Sequence, residues 1–127
     1  MPIINHTSPL PHSYQDLPVV AGKPLLVVYA ASADPSTGEP WCPDVRAALP
    51  HLQATFAGAD QPELTYVEVG QRLEYKSPDS IFRSSRWNIA NTPTLARYER
   101  VDGVVKEVGR LIEEELLDKE RVKKFIA

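Results

Sequence analysis

The sequence predicts an α/β domain, with a central mixed β-sheet and helices on both faces. Leu25-Leu26-Val27-Val28-Tyr29 is an unbroken β-favouring run, the pattern of a central strand buried on both sides. Val45, Ala48, Leu49, Leu52 and Phe56 recur at helical spacing and define one apolar face. Asp102-Gly103, set between two β-rich runs, is a strong hairpin signal. Strand, helix, strand, helix, hairpin and a last helix give a βαβ unit followed by ββα.

Each element follows from its residues. Residues 1–18 hold Pro2, Pro9, Pro11 and Pro18, which disfavour a helix and make a regular strand difficult. An extended proline-rich arm is expected there, with a short strand near Leu17 to Val20, and the domain proper over 19–127. After the Leu25–Tyr29 strand, Ser32 to Pro40 is turn chemistry throughout, hence a loop. Pro43 suits the first turn of a helix, and Asp44 suits its positive dipole end. Pro50 is expected to kink this helix without ending it, and Gly58 to stop it. Leu64 to Val69 reads as a strand. Pro78 to Trp87 reads as a second helix with Ser77 as its N-cap. Thr94 to Arg100 and Val104 to Val108 form the hairpin, and Val122, Phe125 and Ile126 mark a terminal helix capped by Asp118. Whether that helix starts earlier, within Glu113-Glu114-Glu115, the pattern leaves open.

Composition narrows the function. The chain has 127 residues, 43% of them hydrophobic and 24% charged, which suits one globular domain. A net charge of -3 argues against a nucleic-acid platform. The longest apolar stretch, Pro24 to Ala33, is about half of the roughly 20 residues a membrane helix needs. No basic cluster precedes Lys23, so no signal peptide is expected, and the expected location is the cytoplasm. One cysteine, Cys42, excludes an intrachain disulfide and any cysteine-rich zinc site. His6, His12 and His51 are too scattered to form a metal site with it, and His51 is roughly 13 Å away by helical rise. No metal and no cofactor are expected.

Cys42 carries the chemistry. The free N–H groups of a first helical turn and its dipole favour a thiolate, and Cys42 directly precedes Pro43 at such a start. The carboxylate of Asp44 works the other way. The plainer alternative is a small buried hydrophobe, the usual state of a free cysteine. Pro93, read alone, is a strand-start proline.

Trp41-Cys42-Pro43-Asp44-Val45, followed at a distance by Asn91-Thr92-Pro93-Thr94-Leu95, resembles a thioredoxin-like fold. Within it the chain resembles the thioredoxin domain-containing protein 17 family, also called thioredoxin-related or Clot-like. That family's motif is W-C-P-D-C behind a longer loop, here Ser32 to Pro40. Val69-Gly70, Arg72, Tyr75, Pro78, Phe82 and Arg83 match further, so the likeness extends from about Val19 onward. The resemblance implies a thiol-disulfide oxidoreductase with Cys42, Pro43 and Asp44 as catalytic positions. Trp41, Thr92 and Pro93 would contact substrate, the Thr92-Pro93 bond being cis and its backbone pairing with an extended segment. Implied partners are disulfide-containing proteins or small disulfides, with glutathione or a thioredoxin-reductase-like donor supplying electrons to a monomer.

Val45 departs from the family, because it replaces the second cysteine. A dithiol enzyme attacks with its first thiol and releases product with its second. This chain has no second thiol, so intramolecular resolution is excluded. Two functions remain in view: a monothiol oxidoreductase completed by an external thiol, and a redox-inactive binding module on the same fold. Iron–sulfur ligation of the monothiol glutaredoxin type is disfavoured, since Cys42-Pro43-Asp44-Val45 is unlike C-G-F-S.

Overall fold

The structure, a computed structural model, describes residues 10–58 and 60–127, and the backbone of residues 3–5. A five-stranded mixed sheet runs in the order β1-β3-β2-β4-β5. Its strands are β1 (Ile3–Asn5), β2 (Leu25–Ala30), β3 (Leu64–Glu68), β4 (Thr94–Val101) and β5 (Val104–Ile112). β1, β3 and β2 are parallel, whereas β4 runs antiparallel to β2 and β5 antiparallel to β4. The helices are α1 (Pro43–Phe56), α2 (Arg72–Lys76) and α3 (Lys119–Ile126).

β2 is the centre, as its unbroken apolar run predicts. Leu26 and Val28 point to one face, where α1 and α3 contribute Ala48, Leu52, Phe56, Val122 and Ile126. Val27 and Tyr29 point to the other, among Leu17, Tyr75, Phe82, Trp87, Ile89 and Tyr98. Pro50 lies inside α1 and the helix continues past it to Phe56, its buried positions being Val45, Ala48, Leu52 and Phe56. Asp102 and Gly103 both take positive φ, 53° and 80°, and turn β4 into β5. Asp118 caps α3 by accepting from the Arg121 N–H. Glu113 to Leu117 form a separate 3-10 turn, which settles where the last helix begins.

Two local expectations are corrected. The stretch Pro78 to Trp87 is a chain of turns, and the helix lies just before it, as α2. Ser77 caps the C-terminal end of α2 with extended backbone (ψ 146°), the conformation that a following proline imposes. Beyond it, Ser80, Ser84 and Trp87 donate their N–H groups to Ser77, Ile81 and Ser84 carbonyls, and the Ser84 hydroxyl also donates to Ile81 O. Serine hydroxyls that satisfy local backbone compete with a helix.

The second correction concerns the arm. Ile3–Asn5 pairs as β1 with β3, and Tyr14–Asp16 forms a 3-10 turn capped by Ser13. Both segments are free of proline, so their N–H groups remain available. The strand expected near Leu17 to Val20 is only an isolated bridge from Val20 to Lys23, yet Leu17 and Val19 are core residues. Pro2, His6 and Pro9 lie outside the described residues.

Candidate functional site

Cys42 is the N-cap of α1, with extended backbone (φ -90°, ψ 122°) and Pro43 next to it. Its thiol makes no cap bond and instead donates to the Thr92 carbonyl, with Sγ 3.4 Å from the oxygen. The Thr92-Pro93 peptide is cis, so the two segments singled out by sequence face one another. Cys42 is 8% exposed, which leaves a small opening to solvent. Val45 packs with Cys42, Ala30 and Ala31 and is 1% exposed. A side chain three residues into the helix lies over the N-cap, as the helical repeat requires.

The remaining predicted positions fall on either side. Trp41 spans the wall, its indole N–H donating to Gly70 O at 2.9 Å and its ring 6.2 Å from that of Tyr75. Pro43 and Asp44 are exposed in the first turn of α1. Pro93 is buried, and its carbonyl accepts from the Glu113 N–H at 2.9 Å. The Thr92 hydroxyl is buried and has no hydrogen-bond partner among the described residues. The structure thus brings Trp41, Cys42, Val45, Thr92 and Pro93 together, with Pro43 and Asp44 at the solvent edge.

Several residues that frame the site were not singled out by spacing. Ser32 and Gly70 clasp each other, since the Ser32 N–H donates to Gly70 O and the Gly70 N–H donates to Ser32 Oγ at 3.0 Å. Gly70 has φ +101°, a conformation that favours glycine, and like Tyr75, Arg83 and Asn91 it is named from sequence only through the family resemblance. Gln71 Nε2 donates to Ala33 O at 2.7 Å, tying the loop to α2. Tyr75 donates to Ile89 O at 2.9 Å, with the Arg83 guanidinium 5.9 Å above its ring. Burial pushes the Tyr75 phenol up to about 12, against the opposing effect of Arg83. Asn91 Nδ2 donates to the Glu113 carboxylate at 3.3 Å and steadies the turn before Pro93.

Loop 32–40 holds its own shape. The Asp34 carboxylate accepts from the Ser36 N–H (2.8 Å) and hydroxyl (2.7 Å), which hold it below the usual carboxylate range. No group of three or more His, Cys, Asp or Glu side chains is placed to hold a metal among the described residues. No helix among them is long and apolar enough to cross a membrane.

A mixed sheet flanked by helices, with a cysteine at a helix start against a cis-proline turn, defines a thioredoxin-like domain. The chain belongs to the thioredoxin domain-containing protein 17-like family, whose thioredoxin domain matches residues 16–127. A thioredoxin domain-containing protein of Schizosaccharomyces pombe is 36% identical over 108 residues, covering 85% of this chain and 86% of the relative. Thioredoxin domain-containing protein 17 of Danio rerio is 32% identical over 96 residues, 68% of this chain and 69% of that one. The thioredoxin-like protein Clot of Arabidopsis thaliana is 31% identical over 75 residues, 58% and 56% of the two chains.

Proposed function

We propose that this protein is a monothiol thiol-disulfide oxidoreductase of the cytoplasm, acting as a monomer through Cys42. The Cys42 thiolate attacks one sulfur of a substrate disulfide, forms a Cys42–substrate disulfide and expels the other sulfur as a thiolate. An external thiolate, such as that of glutathione, then attacks the substrate sulfur, forms a new mixed disulfide with it and returns Cys42 as thiolate. The electrons come from that external thiol. Trp41 and the backbone of Thr92 and Pro93 seat the segment that carries the disulfide, with Pro43 and Asp44 at its mouth.

The observation that carries this reading is the placing of Cys42 at the first turn of α1 beside Thr92. A second reading, a binding module without turnover, is favoured by Val45, which fills the place of a resolving thiol with a buried side chain. Incubation with glutathione disulfide followed by intact-mass measurement separates the two. The first reading expects one glutathione adduct on the native chain, none on Cys42→Ser, and release by added thiol. A folded native chain that stays unmodified contradicts it and leaves the binding module.

A further inference from the structure

A cleft opens between loop 32–40, the first turn of α1 and the start of α2, with Trp41 in its wall. Its volume is about 410 Å³, and its walls include Asp34, Trp41, Arg46, Arg72 and Leu73. That is within the range of small-ligand sites. Trp41, which directly precedes Cys42 in the chain, forms part of the wall.

Of the charged side chains that line the cleft, Arg72 is the unengaged one among the described residues. Arg97, Arg110 and Arg121 pair with carboxylates, while Arg83, Arg86 and Arg100 bond to carbonyls or to His12. Among the described residues the Arg46 guanidinium bonds the Pro40 carbonyl, at 2.6 Å, and no carboxylate. The exposed Arg72 side chain has no hydrogen bond or ion pair among the described residues. Asp34 is the acidic group on the wall, and its carboxylate is engaged by Ser36. Two guanidinium groups therefore face the cleft with donors to spare, and such donors match a carboxylate in pairs. Leu73, 86% exposed, adds an apolar contact next to them. An apolar rim serves a peptide side chain and is of no use to a free inorganic anion.

We propose that this cleft is an anion subsite that holds a carboxylate of an acidic peptide segment next to the disulfide sulfur that Cys42 attacks. It rests on the thiol reading for its purpose, but binding tests it separately. Short peptides bearing an S-methylated cysteine flanked by Glu, Gln or Lys are titrated into the native chain and followed by the Trp41 indole N–H resonance. The Glu peptide is expected to bind about fivefold more tightly than the Gln peptide, the scale of a partly exposed ion pair, with the Lys peptide weakest. The preference is expected to shrink in high salt, to collapse in Arg72→Gln and Arg46→Gln, and to return in part in Arg72→Lys.

The same peptides, as pyridyl disulfides, report on the chemistry. Attack by the Cys42 thiolate forms a Cys42–peptide disulfide and releases pyridine-2-thiolate. Neutral dipyridyl disulfide is expected to react with the native chain and Arg72→Gln at the same rate. Equal affinity for the Glu and Gln peptides overturns the subsite whatever Cys42 does. Acetate that competes as strongly as the Glu peptide also overturns it. A retained Glu preference with no reaction of any disulfide supports the subsite and overturns the thiol reading instead.

Discussion

On one face of the sheet, α1 and α3 lay mostly aliphatic side chains, with the ring of Phe56, over Leu26, Val28, Leu64, Leu95 and Leu111. On the other, rings take over: Trp87, Tyr29, Phe82 and Tyr98 pack beneath α2 and a string of turns. Tyr29 and Trp87 lie 6.1 Å apart edge to face, and Phe82 and Trp87 6.0 Å. The buried hydroxyls of Tyr29 and Tyr98 satisfy each other at 2.7 Å. One face is thus covered by regular helices, and the other by large rings and backbone bonds that irregular chain must find locally. Cys42 lies where the two meet, on α1 but walled by Trp41 and Tyr75.

The largest expected effect is on the ring face. Trp87 is completely buried, and Trp87→Ala is expected to cost about 4 kcal/mol. Leu52→Ala, on the helical face, is expected to cost about 3 kcal/mol. Urea unfolding of both variants checks the ordering, and a smaller loss at Trp87 would mean that the turns, not the rings, hold that face.

Alkali sharpens the same contrast. Burial raises the phenols of Tyr29, Tyr75 and Tyr98, Tyr75 reaching about 12. A phenol raised in the folded state loses its proton first in the unfolded chain, so folding is disfavoured as pH climbs. Stability from Tyr75 is expected in full below about 10 and to be lost towards about 12, with the decline shallower in Tyr75→Phe. Thermal melts across that window test the sign. The smallest effect is at the edge of the helical face: Asp118→Ala removes the cap of α3 and is expected to cost about 1 kcal/mol by urea unfolding.

The same contrast explains what could be read from residues alone. β2, α1 and the β4–β5 hairpin declare themselves through an apolar run, a helical repeat and Asp102-Gly103, all local signals. The stretch 77–88 does not, because Ile81, Phe82 and Ser85 fall at helical spacing while the serines bond their own backbone. β1 is invisible for another reason: its partner β3 is distant in sequence, and neighbouring prolines mask it. At the site, Trp41, Cys42, Thr92 and Pro93 were legible as a motif pair. Gly70 was legible only within the family match, and the bonds of Ser32 and Gln71 were not, since they join segments that only the fold brings together.

The central claim is that one thiol, with Val45 in the place of a second, attacks disulfides but does not resolve them. Disulfide reduction coupled to a thioredoxin-recycling system, compared across the native chain, Val45→Cys and Cys42→Ser, tests it most directly. Val45 already packs against Cys42, so Val45→Cys places a thiol within reach of a mixed disulfide at high effective concentration. Sustained turnover is expected from Val45→Cys alone, with Cys42→Ser inert and the native chain stopping at the mixed disulfide. Repeated turnover by the native chain without added thiol would contradict the account.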